Sequence, residues 1–487
     1  MSSSQDSSTK NIGNKQLNLG RLIAIIVGST IGSGIFSLSG DFAAKGASQG
    51  AVLIAWAICG VGMISLSLSF QELALRKPEL TGGIYTYAEK GFGGYVGFNS
   101  AWGYWVSALL CNVSYATLLF AAIGYFFPVF GEGNNLISIV CASAFIWFIN
   151  YLCLRGTKEA ATVNIVVTFS KILPIFIFIL AVIFVRAFDF EIFKQNFWGD
   201  GSMPVIEQIK ATMVTTVWSF IGIEGAVAIS GRAKKSSDIG KATVGGFLGI
   251  FIIYVLISVL SMGIMPRAEL AELGNPSLAF IFEKAVGTWG AVLINLGVII
   301  SLVGATLGWT IIASEMPYVL GVNGMFDKAF AKENKKNAPA NALFLTNGVI
   351  EMFLIITFFN ASTYQIFYAL STSMILVPYL LSALYLLKIC ITGEAFEKSK
   401  SKNHAGVTIV ALIATIYAVW LIYAGGMDYL LITSVLYAPG TIVYYRNRKK
   451  RNQITFENNY EKVICGILVI LAVISLVLIG KGTIKPF

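Results

Sequence analysis

The segment Ile25-Ile-Val-Gly-Ser-Thr-Ile-Gly-Ser-Gly-Ile-Phe36 is a hydrophobic run that glycine and serine interrupt. Glycine weakens a helix, and a helix that unwinds inside a bilayer leaves backbone amides and carbonyls in need of partners. Such an interruption is tolerated where it lines a cavity enclosed by protein. The segment therefore predicts a broken membrane-spanning helix beside a substrate cavity.

The composition of the whole chain is that of an integral membrane protein. Of its 487 residues, 56% are hydrophobic and only 12% are charged, whereas soluble domains carry about 25% charged residues. The apolar residues form about thirteen blocks of spanning length. These blocks centre on Val27, Ala57, Trp105, Ala144, Phe176, Phe220, Ile253, Leu302, Phe353, Val377, Ile413, Ser434 and Ile470.

Lysine and arginine follow every second block, which explains the net charge of +10 through membrane topology and not through nucleic-acid binding. The positive-inside rule then predicts a polar cytoplasmic N-terminus at 1–18, with no removable signal peptide. We expect a ten-helix transport core at 19–390, and C-terminal helices and a tail at 391–487. Twelve or thirteen spans remain open, and an odd number places the tail outside.

A second interrupted segment, Trp218-Ser-Phe-Ile-Gly-Ile-Glu-Gly-Ala226, comes five spans after the first. Two broken helices at this separation are typical of an inverted repeat of five plus five helices. The alternative is that these small residues only allow close helix packing. The matched positions in the two halves favour unwinding.

An unwound helix offers partners for both ends of an amino acid head group. Freed amides suit a carboxylate, and freed carbonyls suit an ammonium group. A zwitterionic amino acid matches both. The expected amides are those of Ser29, Gly32, Ser33 and Gly34, and the expected carbonyls are those of Ile221, Gly222 and Ile223.

Two charged residues lie inside predicted spans, where a charge is expensive and usually functional. Glu224 is the stronger candidate, although a protonated structural acid is the alternative. Lys171 is either a coupling group or a counter-ion that holds helices together. Aromatic residues within or at the ends of spans would hold an organic cation by the ring face, although most aromatics of such a chain are interfacial or lipid-facing. The aromatic candidates are Tyr85, Tyr104, Trp218, Trp309 and Tyr379.

Metal and cofactor chemistry has little to build on. The six cysteines lack metal-ligand spacing and His404 is the single histidine of the sequence. We therefore predict no metal and no cofactor. A membrane enzyme would need a convergent catalytic set, which the sequence does not offer, and a channel would need a continuous polar pore.

Three motifs resemble the amino acid–polyamine–organocation transporters, and the resemblance covers nearly the whole chain. They are Gly28-Ser-Thr-Ile-Gly-Ser-Gly-Ile-Phe36, Gly82-Gly-Ile-Tyr-Thr-Tyr-Ala88 and Trp218-Ser-Phe-Ile-Gly-Ile-Glu224. The third is similar to that of the basic amino acid/polyamine antiporter branch. Further segments of the sequence resemble the bacterial arginine/ornithine antiporters of that branch. The resemblance implies a LeuT-like, all-α polytopic membrane fold with broken helices 1 and 6 and two or three additional C-terminal helices.

The resemblance also implies residue roles. Ser33 and Gly34 would bind the substrate carboxylate and Ile221 its amine. Trp218 would cover the substrate, Trp309 would stack on its cationic end, and Asn112 would lie near its side chain. The implied gating residues are Tyr104, Glu224 and Tyr379, with Tyr85 at a gate on the other side. Lys171 matches a lysine that replaces sodium in sodium-independent relatives.

The function that follows is an antiporter of a bacterial cytoplasmic membrane, importing arginine and exporting ornithine. Lysine is a further candidate substrate, and the lipid bilayer is the expected surroundings. Exchange of an amino acid for its decarboxylated amine and proton-coupled uptake of a cationic amino acid remain alternatives. A homodimer is also left open.

Overall fold

A computed structural model describes residues 18–80, 83–224, 236–360, 364–396 and 404–484. Every regular element within these ranges is helical, which confirms the prediction of an all-α protein. Residues 1–17 of the predicted cytoplasmic segment 1–18 and the continuation of the second interrupted segment, 225–235, lie outside the described residues.

Eighteen α-helices follow one another along the described chain. The first nine are α1 (Leu19–Thr30), α2 (Leu38–Ala44), α3 (Gln49–Arg76), α4 (Ile84–Phe92), α5 (Gly94–Gly124), α6 (Leu136–Leu154), α7 (Thr157–Phe184), α8 (Phe190–Lys194) and α9 (Val205–Trp218). The others are α10 (Ser236–Ile264), α11 (Arg267–Ala271), α12 (Ser277–Val286), α13 (Thr288–Val322), α14 (Ala340–Asn360), α15 (Tyr364–Thr392), α16 (His404–Ala424), α17 (Met427–Lys450) and α18 (Asn459–Gly480).

Nine helices of the described chain are long and apolar enough to cross a membrane, so the protein is a multi-pass membrane protein. They account for nine of the thirteen predicted blocks. The first and sixth blocks are divided by their interruptions, and the fifth contributes a shorter apolar stretch within α7. The twelfth block, α17, is not among the nine; it carries Asp428 in its first turn and three basic residues in its last turn.

The first block is broken where the sequence predicts. Helix α1 ends at Thr30, residues 31–33 have no regular structure, and a short 3-10 turn at Gly34–Phe36 precedes α2. The sixth block changes in a similar way, because α9 ends at Trp218 and turns follow as far as Glu224. The inverted symmetry of the two halves stays a prediction.

Helix α5 is the central wall of the molecule. Within the most apolar 18-residue stretch of this helix, 89% is buried, and the helix packs against α13 and α15. A helix enclosed in this way presents side chains to other helices on all sides and not to lipid. Residues on α5 are therefore well placed to line an internal site.

The C-terminal helix α18 is far less enclosed than α5, since only 11% of its most apolar 18-residue stretch is buried. Its anchor is the buried carboxylate of Glu461, which accepts a hydrogen bond from the Tyr95 amide at 3.0 Å. The same side chain accepts from the Glu457 and Asn458 amides and thereby caps its own helix. This helix is therefore held to the core at its N-terminus. Whether its exposed length takes part in a homodimer is left open.

Helices α3 and α16 approach each other at Gly62. A methyl group added there would lie 2.1 Å from the ring of the buried Tyr417, so Gly62→Ala should force the helices apart. Overpacking of this kind destabilises by about 1–3 kcal/mol. Thermal unfolding of the detergent-solubilised protein should therefore occur at a lower temperature. The matched control is Gly249→Ala in α10, where nothing lies within 4 Å; equal melting of the two variants would contradict the close contact.

Candidate functional site

The broken end of α1 is held by a buried lysine. The Lys171 ammonium, fully enclosed on α7, donates hydrogen bonds of 2.5 Å to the carbonyls of Gly28 and Ile31. The last carbonyls of a helix have no partner within the helix and form the negative end of its dipole. An ammonium group satisfies the carbonyls and the dipole together. The replacement of a bound sodium ion by Lys171 and its coupling role both stay predictions.

Two further helices satisfy the neighbouring carbonyls of the break. The Tyr254 hydroxyl on α10 donates to the Thr30 carbonyl at 3.4 Å, and the Ser301 hydroxyl on α13 donates to the Gly32 carbonyl at 3.4 Å. Each freed carbonyl costs about 1–3 kcal/mol when it is buried without a partner. Three different helices therefore stabilise the unwound conformation.

The expected amide donors of the break differ among themselves. Ser29 lies within α1, so its amide belongs to the helix, and the Gly32 amide donates to the Thr30 carbonyl at 2.9 Å. Ser33 and Gly34 lie in the irregular turn itself and are buried. The amides of Ser33 and Gly34 therefore remain the candidates for holding a carboxylate.

The two interrupted segments meet at Gly34. A methyl group added there would lie 3.1 Å from Trp218 Cδ1 and 3.2 Å from Ser219 Oγ, so the absence of a side chain permits the approach. The Trp218 ring in turn contacts Tyr115, with ring centroids 5.8 Å apart, and stacks on Tyr368 at 5.4 Å. Trp218 therefore lies against the first break, and its role as a cover over the substrate stays a prediction.

Glu224 lies at the end of the second interruption that is opposite Trp218, and it accepts hydrogen bonds from side chains of two helices. Tyr104 on α5 donates to Glu224 Oε1 at 3.0 Å and Tyr379 on α15 donates to Oε2 at 2.7 Å. The Gly222 amide also donates to Oε2 at 3.1 Å, and its φ of 103° is a left-handed conformation that favours glycine. Three of the four predicted gating side chains are therefore joined in one buried contact.

Trp309 on α13 belongs to the same wall. Its ring lies 6.4 Å from that of Tyr104. The next residue, Thr310, accepts a hydrogen bond of 3.4 Å from the Asn112 side chain on α5. Tyr104, Asn112 and Tyr115 are spaced so that they share one face of α5, which links the Trp309 region to the Trp218 region.

Four of the six predicted substrate-contacting residues contain a buried polar atom without a hydrogen-bond partner among the described residues. These atoms are Ser33 Oγ, Asn112 Oδ1, Trp218 Nε1 and Trp309 Nε1. Buried polar groups normally have partners. Similar atoms occur elsewhere in the chain, so the argument rests on their occurrence around one pair of interruptions. The arrangement suits a polar ligand with several donors and acceptors.

Two predicted residues are placed less directly. Ile221 lies buried in the turn after α9, where its amide donates to the Trp218 carbonyl at 3.3 Å. Tyr85, on α4, is buried elsewhere and accepts a hydrogen bond of 3.0 Å from Asn323 at the end of α13. A separate gate at Tyr85 stays a prediction.

Sequence reasoning missed several neighbours of the site: Tyr115, Tyr254, Ser301 and Tyr368. Tyr115 was accessible in principle, because it lies three residues after Asn112 and so on the same helical face. Tyr254, Ser301 and Tyr368 come from other helices, and their proximity depends on tertiary packing.

Comparison with known proteins places these features in a family. A family model described as amino acid permease matches residues 17–428. An arginine/ornithine antiporter of Pseudomonas aeruginosa is 47% identical, with 97% of this chain and 98% of the relative covered. A putative arginine/ornithine antiporter of Escherichia coli is 41% identical over 94% and 98%. An arginine/agmatine antiporter of Chlamydia trachomatis is 39% identical over 95% and 96%.

This chain is therefore a multi-pass membrane transporter of the amino acid permease class. It belongs to the amino acid–polyamine–organocation superfamily and to its basic amino acid antiporter family, as the sequence motifs predict.

Removal of the Lys171 side chain tests whether its ammonium stabilises the broken end of α1. Lys171→Ala would leave the Gly28 and Ile31 carbonyls buried without that donor, at about 1–3 kcal/mol each. We expect roughly tenfold slower turnover with a smaller change in KM, measured by transport into proteoliposomes. Lys284→Ala, which removes an exposed lysine on α12, is the control. Normal turnover in Lys171→Ala would contradict the role.

Proposed function

We propose that this protein exchanges arginine for ornithine across a bacterial cytoplasmic membrane. The observation that carries the proposal is the site at the two interruptions, where backbone groups and buried polar side chains meet an aromatic wall. Substrate identity is supported by the relatives named as arginine/ornithine antiporters. The positive-inside pattern supports a cytoplasmic N-terminus, and transport without an enzymatic reaction accounts for all of these features.

The α-carboxylate and α-amine of the substrate would occupy the interruptions. Ser33 and Gly34 would donate to the carboxylate from the start of the second half of the first span, where the helix dipole favours an anion. Ile221 would accept from the amine through its carbonyl. Trp218, which contacts Gly34, would cover this end of the substrate.

The cationic end would extend toward α13. There the Trp309 ring would hold a guanidinium or an ammonium by a cation–π interaction, with Asn112 as a neighbouring polar group. Arginine and ornithine share the same head group and differ in the length and form of the cationic end. One head-group site with an aromatic wall therefore accommodates both substrates.

Closure on the cytoplasmic side would depend on Glu224, Tyr104 and Tyr379, and the separate gate implied at Tyr85 is not part of this contact. Breaking the two tyrosine contacts with Glu224 would separate α5 and α15 from the second interruption and open a route from the site. Alternating access of this kind moves one set of helices against another around a fixed site.

The charges of the substrates set the energetics of exchange. Arginine and ornithine each carry one net positive charge near neutral pH, so their exchange moves no net charge. A gradient of ornithine could then drive arginine uptake irrespective of the membrane potential. Agmatine carries two positive charges, so arginine/agmatine exchange would move one charge, worth about 2.3 kcal/mol per 100 mV. The relative named as an arginine/agmatine antiporter supports this second candidate.

Counterflow distinguishes the two exchanges. Proteoliposomes loaded with ornithine should take up labelled arginine rapidly, empty ones should not, and a potassium diffusion potential should leave the initial rate unchanged. Potential-dependent uptake that requires internal agmatine would favour the second candidate. Equally fast uptake into empty vesicles would eliminate obligatory exchange.

A second prediction concerns Trp309. Trp309→Ala should weaken arginine binding by about 1–2 kcal/mol, which is roughly a five- to thirtyfold increase in Kd, because a buried cation–π contact is lost. Binding of citrulline, whose side chain has a similar shape but carries no charge, should change less. Calorimetry in detergent measures both, with Trp147→Ala on the exposed face of α6 as the control. Equal losses for arginine and citrulline would exclude a charge-specific role.

A further inference from the structure

A buried polar cluster lies beside the site at the end of α2. The Asp41 carboxylate, 3% exposed, accepts hydrogen bonds from the Tyr364 hydroxyl at 3.0 Å and from the Gln365 amide at 3.3 Å. One helical turn later, the Lys45 ammonium donates to Thr215 Oγ1 at 2.6 Å and to the Tyr368 hydroxyl at 3.0 Å. We call these six side chains the outer cluster: Asp41, Lys45, Thr215, Tyr364, Gln365 and Tyr368.

The outer cluster is continuous with the predicted substrate site. The Tyr368 ring lies under the Lys45 ammonium, which is 5.1 Å from its centroid, and the same ring stacks on Trp218. Tyr364 lies beside Tyr368, with ring centroids 5.1 Å apart. A cation at Lys45 is therefore one aromatic ring away from the residue that covers the substrate.

The cluster lies on the side that the sequence predicts to be external. With a cytoplasmic N-terminus, the loop between the fifth and sixth predicted blocks is external. The chain after Lys45 contacts this loop, since the Gly50 amide donates to the Phe197 carbonyl at 2.8 Å. The Ser48 amide donates to Gln208, in the first turns of α9, at 2.9 Å. A substrate that approaches Trp218 from outside would therefore meet the outer cluster first.

The two charged residues differ in their freedom to move. Asp41 is enclosed and accepts hydrogen bonds from neutral donors, so its negative charge favours a cation nearby. Lys45 is only partly buried and carries its charge on a flexible four-carbon stem. Lys45 can therefore swing toward solvent, whereas Asp41 and the two tyrosine rings remain.

A carboxylate beside aromatic rings is the chemistry that recognises an organic cation. We propose that the outer cluster is a second, external binding site for the cationic end of the substrate. In the closed form Lys45 occupies this site. When the external side opens, a guanidinium or alkylammonium group replaces the Lys45 ammonium over Tyr368 and pairs with Asp41, before the substrate passes Trp218. This inference rests on the proposed transport of cationic amino acids.

Asp41→Asn keeps the shape and removes the charge. We expect KM for arginine at the external face, measured with intact cells, to rise roughly five- to tenfold because a charge-assisted contact is lost. KM at the cytoplasmic face, measured with everted membrane vesicles, should not change. Inhibition of external uptake by citrulline, which has no cationic end, should also keep its wild-type concentration dependence.

Lys45→Met removes the competing internal cation and keeps the apolar stem, so it should lower the external KM for arginine. The control is Asp428→Asn, an exposed acid on the same predicted side, which should leave both values unchanged. An Asp41→Asn effect that is equal on both faces, or equal for citrulline, would indicate a structural role and overturn the proposal. An unchanged or higher external KM in Lys45→Met would overturn it independently, even where Asp41→Asn does not fold. A wild-type protein that fails to transport arginine would instead refute the proposed function.

Discussion

The structure depends on satisfying the backbone groups that a broken helix exposes inside a membrane. At the end of α1 the principal partner is Lys171, whose ammonium reaches two carbonyls, Gly28 and Ile31. A hydroxyl group would satisfy the carbonyls less completely, because it cannot oppose the negative end of the helix dipole. A charged side chain that would be expensive in isolation is thus stabilised by the break, and the break is stabilised by the charge. The two features require each other.

The same constraint explains how the site is closed on two sides. On one side the Trp218 ring packs between Tyr115 and Tyr368, and on the other Tyr104 and Tyr379 bind Glu224. These closures are made by a few hydrogen bonds and ring contacts, each of modest net strength. Contacts of that size are suited to a transporter, because two conformations of similar free energy can exchange when a ligand binds them differently.

The sequence was sufficient for the class of fold, the broken first span and the family, because long apolar blocks and glycine interruptions are local features. It also identified Glu224 and Lys171, since a charge within an apolar block is conspicuous. The side chains that satisfy the Thr30 and Gly32 carbonyls were not predictable in the same way: Tyr254 and Ser301 are ordinary residues whose role depends on the packing of α10 and α13 against α1. Asp41 is a charge near the first interruption, but it lies beyond the end of the apolar block, where a charge is common, so its burial could not be predicted from the sequence.

The contact at Gly34 places a limit on how the transporter can move. A methyl group at Gly34 would lie only 3.1 Å from Trp218 and 3.2 Å from Ser219, so the two interruptions are closely packed there and opening requires α9 to separate from α2 or to slide along it. Separation of α9 from both α2 and α15 would break the stacking of Trp218 on Tyr368 and the hydrogen bond from Lys45 to Thr215 in the same motion. Opening of the external side and loosening of the outer cluster are thus coupled by geometry. A substrate cation that binds Asp41 and the Tyr368 ring in the open form would compensate for the contacts with Thr215 and Tyr368 that Lys45 gives up, so opening is least unfavourable when substrate is present, as an exchanger requires.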